Sequence, residues 1–233
     1  MARINKSTLT KLEIIRVASR MFLEKGYSAT TIKAISSELE MSTGNLTFYF
    51  PSKEHLLAAL VETLGSFQWE LMSREADEGL SSLMAICLEL AAMAAMCEDN
   101  AVAKDFYLST YTSPITLEII RKNDAHRAMQ VFGGALPHWT EDNFRAAEVL
   151  VSGIEYATLM TTENGPSLEV RIAGALNHIM LIYGIPEETR RLKIGRVLAM
   201  DYRRIGSRVF RDFLDFVEQN NEQAIEALLS RRK

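Results

Sequence analysis

Apolar residues recur at intervals of three and four along almost the whole 233-residue chain, and the alternating apolar-polar runs that a half-buried strand needs are missing. The pattern predicts an all-α protein. Proline and glycine, which punctuate helices, number only 5 and 12, so the helices are expected to follow one another through short connections. A first helix is predicted to start after Thr10, with Glu13 as capping partner, to bury Ile14, Ile15, Ala18 and Phe22, and to end at Gly26. Thr30 or Thr31 caps a second helix burying Ile32, Ile35 and Leu39. Ser42 caps a short third helix through Thr47, and Pro51-Ser52 opens a fourth that runs long, to about Glu75.

Further helices are predicted near 79–97, 100–111, 114–133, 140–162, 167–184 and 187–219, with a last one to about 230. Ser113 before Pro114, Thr140 before Glu141-Asp142 and Pro186 before Glu187-Glu188 are their sharpest start signals. Without a linker or repeat, the junction at Pro51 is the expected seam. It separates a three-helix head, residues 1–52, from a larger helical body, residues 53–233, and the long fourth helix joins the two.

The third helix divides into two faces. Leu46, Tyr49 and Phe50 lie at helical spacing and anchor inward, while Ser42, Thr43, Asn45 and Thr47 offer hydroxyl and amide groups to bases or phosphates. This is the division that a DNA-reading helix-turn-helix requires. Gly44 inside that helix costs roughly 1 kcal/mol relative to alanine, which suggests that another backbone passes close by. Lys53, in the first turn of the fourth helix, can help free backbone amides hold a phosphate. Thr31, Lys33, Phe48 and Tyr49 complete the set of candidate DNA-binding residues. Phe48 has two readings, stacking on sugars or completing the core, and Tyr27 is read as packing.

Charge supports this reading modestly. The chain carries −4 overall, but residues 1–56 hold eight Lys/Arg against five Asp/Glu, an excess of +3 that leaves −7 for the remainder. Cys87 and Cys97 form neither a C-x-x-C pair nor a disulfide framework, so a reduced, cytoplasmic location is expected. The N-terminus lacks a signal-peptide core. The most apolar window, 83–97, contains Glu89 and is too short to span a bilayer, so no membrane insertion is expected. The four histidines show no metal or triad spacing and no cofactor or hydrolase motif occurs, which argues against an enzyme.

The run Ala18-x-x-x-Phe22-x-x-x-Gly26-Tyr27, Thr31-Ile32-x-x-Ile35 and Ser42-x-Gly44-x-Leu46-x-x-Tyr49-Phe50-x-Ser52-Lys53-Glu54-x-Leu56 resembles the N-terminal signature of the TetR family of transcriptional regulators. The resemblance covers about residues 10–60. It implies a homodimeric repressor whose two heads occupy successive major grooves of a pseudo-palindromic operator in double-stranded DNA, and whose body binds a small-molecule effector. The helices near 140–162 and 167–184 match the pair that forms the family's four-helix dimer interface. Two departures stand out. Glu40-Met41 replaces the usual Gly-Val, which strains a left-handed turn by about 1–2 kcal/mol or reshapes it, and Thr47 replaces a customary tyrosine. Arg3, Lys6 and Lys11 can compensate from the N-terminal arm.

In the body, Met93, Met96, Phe106, Tyr107, Tyr111, His126, Met129, Tyr156 and Met160 are candidates to line a pocket for an apolar or amphipathic effector, with ordinary core packing as the competing reading. Glu155, Asn177 and His178 are further polar candidates. The segment 190–211 reads as a basic amphipathic helix, chiefly a solvated face. A protein-interaction adaptor that keeps the same fold, or an enzyme with a pocket in the body, are the competing functions.

Overall fold

The computed structural model describes residues 6–76, 82–162 and 164–229, with side chains from Ser7 to Gln223. Among these the chain is helical throughout: α1 Lys6–Lys25, α2 Ile32–Glu38, α3 Thr43–Tyr49, α4 Lys53–Glu75, α5 Leu83–Asp99, α6 Ala101–Thr112, α7 Pro114–Phe132, α8 Glu141–Leu159, α9 Leu168–Ile182, α10 Glu187–Leu198 and α11 Tyr202–Leu229. Arg3 lies outside the described residues, as do the predicted start at 79 and end at 230. Lys6 is described by its backbone alone.

Local chemistry sets most boundaries. The Thr31 hydroxyl accepts from the Ala34 amide at 3.1 Å and caps α2. Ser42 does the same for α3 through the Asn45 amide at 3.1 Å, and Ser82 caps α5. At α8 the Asn143 side chain accepts from the Thr140 amide at 2.8 Å, closing the first turn. Three boundaries differ from the periodicity, one of them the break expected after 219, which is absent because α11 runs unbroken from Tyr202 to Leu229. α1 begins at Lys6 rather than after Thr10, and its first turn is half-buried at Thr8, Leu9 and Thr10. The predicted helix 187–219 is two helices: after α10 the Asp201 carboxylate accepts from the Arg204 amide at 3.2 Å and starts α11 afresh.

α5 is the central rod. From Met84 to Cys97 nearly every residue is buried, because α11, α4, α6, α9, α10 and α8 all pack around it. Its long apolar run therefore belongs to a core helix, and no helix among the described residues is long and apolar enough to cross a membrane. Gly206 lets α11 approach closely: a Cβ there would stand 2.5 Å from the Ala92 carbonyl oxygen. The basic residues of 190–211 are largely spent on neighbours. Arg203 pairs with Asp99 at 2.7 Å, Arg208 with Glu75 at 3.2 Å and Arg204 with Asp201 at 3.2 Å, while Arg190 donates to Asn177 and to the Ile185 carbonyl.

The head and the body share one core. Ile14, Phe22, Ile35, Leu46 and Leu57 are fully buried and belong to the same apolar cluster as the body. α1 packs against α11 and α6 as well as against α2 and α4.

Candidate nucleic-acid interface and the body cavity

The turn between α2 and α3 is built by backbone hydrogen bonds. The Met41 amide donates to the Ser36 carbonyl at 3.0 Å and the Glu40 amide to the Ser37 carbonyl at 3.2 Å, so two carbonyls of the last turn of α2 are satisfied by a reversal at Glu40. Glu40 takes φ +51. The departure from glycine therefore leaves the left-handed geometry in place, and Glu40 carries the strain. Glu40→Gly is expected to raise the unfolding free energy by about 0.5–1 kcal/mol, the relief of about 1–2 kcal/mol less the backbone freedom that glycine gains in the unfolded chain. Urea unfolding beside Glu40→Gln, which removes only the charge, checks this; equal stability of the two variants contradicts it.

From that turn α3 is held by its inward face alone. Leu46 is fully buried and Phe50 nearly so, with Tyr49 half-buried against the core. Ser42, Thr43, Gly44 and Asn45 are exposed, and Phe48 is 80% exposed. Phe48 thus stands off the core, edge-on to Tyr49 at 5.3 Å. Thr47 is half-buried and spends its hydroxyl on the Thr43 and Gly44 carbonyls of its own helix at 3.1 and 3.2 Å. The Thr43 hydroxyl lies 3.4 Å from that of Ser36, a link from α3 to α2. A Cβ on Gly44 would meet nothing within 4 Å. No backbone of this chain explains that glycine. Thr31 and Lys33 are exposed on α2, beside α3.

Lys53 is already occupied. Its ammonium donates to the carbonyls of Tyr27 and Thr30, both at 3.0 Å, and sits 4.0 Å over the Tyr27 ring. An ammonium has three donors, so one remains for a phosphate, and the side chain also staples α4 to the α1–α2 loop. The same loop is gripped from the body, where Asp105 of α6 accepts from the Ser28 amide at 2.8 Å and from the Ser28 hydroxyl.

Deeper in the body, α4, α5, α6, α7, α8 and the end of α9 line a partly open cavity of about 100 Å³. Of the predicted lining, Met93, Phe106, Tyr107 and Tyr111 reach it, as does Glu155. Met96, His126, Met129, Tyr156 and Met160 do not, because each lies on another face of its helix. Met96 is core, His126 and Met129 open onto the outer groove of α7, Tyr156 lies 6.5 Å from the Tyr111 ring, and Met160 ends α8 at the surface. Asn177 and His178 are also elsewhere, bonded to Arg190 and to the Gly174 carbonyl.

The helical periodicity missed the cavity's charge. Glu89, Asp124, Glu148 and Glu155 line it with Arg127. Burial is the first cause of a raised pKa in all four carboxyls: Glu89 is pushed up to about 7 and Glu148 to about 8, with Asp124 and Glu155 also raised. Arg127 opposes this rise, standing 3.2 Å from Asp124 and 3.6 Å from Glu89 while donating to the Gly65 carbonyl at 2.6 Å. Gln68 donates to Glu89 at 3.1 Å and accepts from Tyr107 at 2.9 Å; Tyr111 donates to Glu155 at 2.9 Å, and Tyr183 to Glu148. The available sequence signal was Glu148 and Glu155, seven apart on the inward face of α8 among Val151 and Ser152.

A short polar-faced helix set on an anchored three-helix head, with a helical body behind it, is the arrangement of a helix-turn-helix. Residues 14–60 match the family model for bacterial regulatory proteins, tetR family. The chain is 42% identical over 48 residues to the uncharacterized HTH-type transcriptional regulator YuxN of Bacillus subtilis (strain 168), and 44% identical over 52 residues to YerO of the same organism. Those stretches cover 21% and 22% of this chain but only 16% and 18% of the two relatives. Among solved structures, Salmonella enterica GusR aligns over 79% of this chain and 98% of its own at 20% identity and a TM-score of 0.44, too loose a likeness to bear on function.

Proposed function

We propose that the protein is a sequence-specific DNA-binding transcriptional regulator, a repressor released from its operator by a small molecule held in the body. The observation that carries this reading is the division of α3, whose anchors Leu46 and Phe50 are buried while Ser42, Thr43, Asn45 and Phe48 face outward. In that role Thr43 and Asn45 read base edges, Thr31, Lys33, Ser42, Phe48, Tyr49 and Lys53 hold the sugar-phosphate backbone, and Thr47 joins them by exchanging its Thr43 and Gly44 carbonyls for a phosphate. Residues 1–52 form the reading unit and 53–233 the sensing and pairing unit, in the cytoplasm.

Gly44 gives the test. With open space around it, Gly44→Ala is expected to stabilise α3 by roughly 1 kcal/mol, yet to weaken operator binding, since a methyl on the outward face separates the helix from the groove. Thermal unfolding and band-shift titration measure the two effects separately. Unchanged or tighter DNA binding in the stabilised variant contradicts the assignment.

Dimerisation follows from the outer face of α8 and α9. Val149, Leu150, Val170 and Leu181 are 50%, 61%, 59% and 52% exposed, and Ala146, Gly153 and Ala157 beside them are exposed too. An apolar face of this kind suits an isologous contact with a second copy, which would set two heads on successive major grooves.

Release requires the effector to favour a state that does not fit DNA. The α1–α2 loop is held by Lys53 of α4 and Asp105 of α6, and both helices line the cavity. A ligand that displaces Phe106 or Tyr107 moves Asp105 directly. Asp105→Ala is therefore expected to keep operator binding but to lose about tenfold of its response to any compound that releases the native protein, a mid-range coupling. Band shifts with a compound found by thermal-shift screening measure it; an undiminished response contradicts this route.

A further inference from the structure

Glu148 is 2% exposed and lines the cavity. One of its carboxylate oxygens accepts from Tyr183, while the other, Oε2, is buried without any hydrogen-bond partner. An unpaired buried carboxylate oxygen is costly. Among the described residues it is the one buried carboxyl oxygen of the lining without a partner, and an acceptor once the group is ionised; Glu89 and Glu155 already accept one bond each, from Gln68 and Tyr111. Four carboxyls face the space against the single guanidinium of Arg127; Arg121 bonds to Ser152 beside it. Phe106, Tyr107, Tyr111, Phe132 and Trp69 supply aromatic walls, and the Trp69 face already carries the Arg127 guanidinium at 5.1 Å, a cation held against a ring of this lining. Among the described residues no three His, Cys, Asp or Glu converge closely enough to hold a metal ion. Negative groups spread round a hollow suit a larger, softer charge than a bare ion.

We propose that this cavity takes a small organic cation, a protonated amine with a short apolar or aromatic body, its charge seated against Glu148 and Glu155. The proposal rests on the reading of the body as an effector-binding unit and names the chemical class of the effector. Its size limit follows from a hollow of about 100 Å³, below the roughly 150 Å³ of an engineered cavity that holds benzene, so the aromatic walls must yield slightly to a ring. Binding also moves protons. Glu148 faces Asp124, Arg121 and Arg127 from α7, Glu155 on its own helix and Tyr183 after α9, and Glu89 faces Gln68, Arg127, Asp124 and Tyr107. Near neutral pH, Glu148 and Glu89 are partly protonated, so an arriving cation favours their ionised forms and releases protons to solvent.

The test is a charge series on fixed scaffolds: benzylamine, benzyl alcohol and benzoate, then butylamine, butanol and butanoate, titrated calorimetrically into the intact protein at pH 7.5 in two buffers of different ionisation heat. The amine of at least one scaffold is expected to bind roughly tenfold or more tighter than its alcohol, with the carboxylate weakest. Amine binding should release protons and alcohol binding none. Glu148→Gln keeps an acceptor for Tyr183 and is expected to cost the amine about tenfold while leaving the alcohol unchanged. Glu155→Gln, a second variant, should act in the same direction. The proposal is overturned if no amine binds, if an alcohol or carboxylate binds as tightly as its amine, or if Glu148→Gln leaves amine affinity and proton release unchanged. Band shifts with the same amines separate the two readings. Amine binding that leaves operator affinity untouched upholds the cation site and refutes its effector role; release by a neutral or anionic compound that ignores Glu148→Gln upholds the regulator and refutes the cation.

Discussion

Leu46→Ala is expected to lower the unfolding free energy by about 3 kcal/mol and to abolish operator binding. The side chain is fully buried and is the main anchor of a seven-residue helix. Removing three buried carbons from such a site costs about 2–5 kcal/mol in transfer and cavity terms, and a helix this short has no stability of its own to fall back on. Phe48→Ala, two positions along on the outward face, is the matched control. At 80% exposure it is expected to change stability by less than about 0.5 kcal/mol, so any affinity it loses is lost from a contact. Urea unfolding, with hydrogen exchange on α2 and α3, distinguishes the two. If both variants are equally destabilised, α3 is not held as described.

Raising the pH from 6 to 9 is expected to destabilise the protein by about 4 kcal/mol, and Glu148→Gln is expected to remove about two-thirds of the part that Glu148 and Glu89 contribute. Burial lifts the Glu148 carboxyl from 4.5 to about 8 and that of Glu89 to about 7. A carboxyl whose pKa is higher in the folded chain holds its proton more tightly there. Its contribution to stability is whole below the unfolded value and disappears as pH climbs through the folded one. Each tenfold gain in proton affinity on folding corresponds to about 1.4 kcal/mol, and most of what Glu148 contributes is lost between pH 6 and 9. Chemical denaturation at pH 6, 7, 8 and 9 measures it. Stability that stays level or rises over this window, or a Glu148→Gln slope equal to that of the native protein, contradicts the assignment of Glu148 as a buried acid.

The head was legible in sequence because its determinants are local. A hydroxyl at Thr31 or Ser42 caps the helix three residues ahead, and Ile35, Leu46 and Phe50 fall on one side by spacing alone. The turn at Glu40 was half-legible: the residue announced strain, but whether the chain would reshape itself depended on the Ser36 and Ser37 carbonyls, which hold the left-handed form. The engagement of Lys53 was not legible, since its carbonyl partners come from a loop 23 and 26 residues earlier. Nor was the chemistry of the cavity. The methionine pattern points away from it, and of the methionines predicted to line it only Met93 reaches the space. The acids that define it sit singly on α5 and α7 and as a spaced pair on α8, and they meet only in the tertiary packing. Arg127, Asp105 and Gln68 act at sequence separations no periodicity carries.

Entry of α3 into the major groove is the central claim, and selection of bound fragments from genomic DNA by the native protein and by Asn45→Ala tests it most directly. The expected outcome is a pseudo-palindromic site recovered by the native protein, with half-sites one or two helical turns apart, and a relaxed preference at one fixed position of each half-site for Asn45→Ala, worth about 1–3 kcal/mol. Recovery of no enriched sequence by the native protein, or of an identical site with identical preference by the variant, would contradict it.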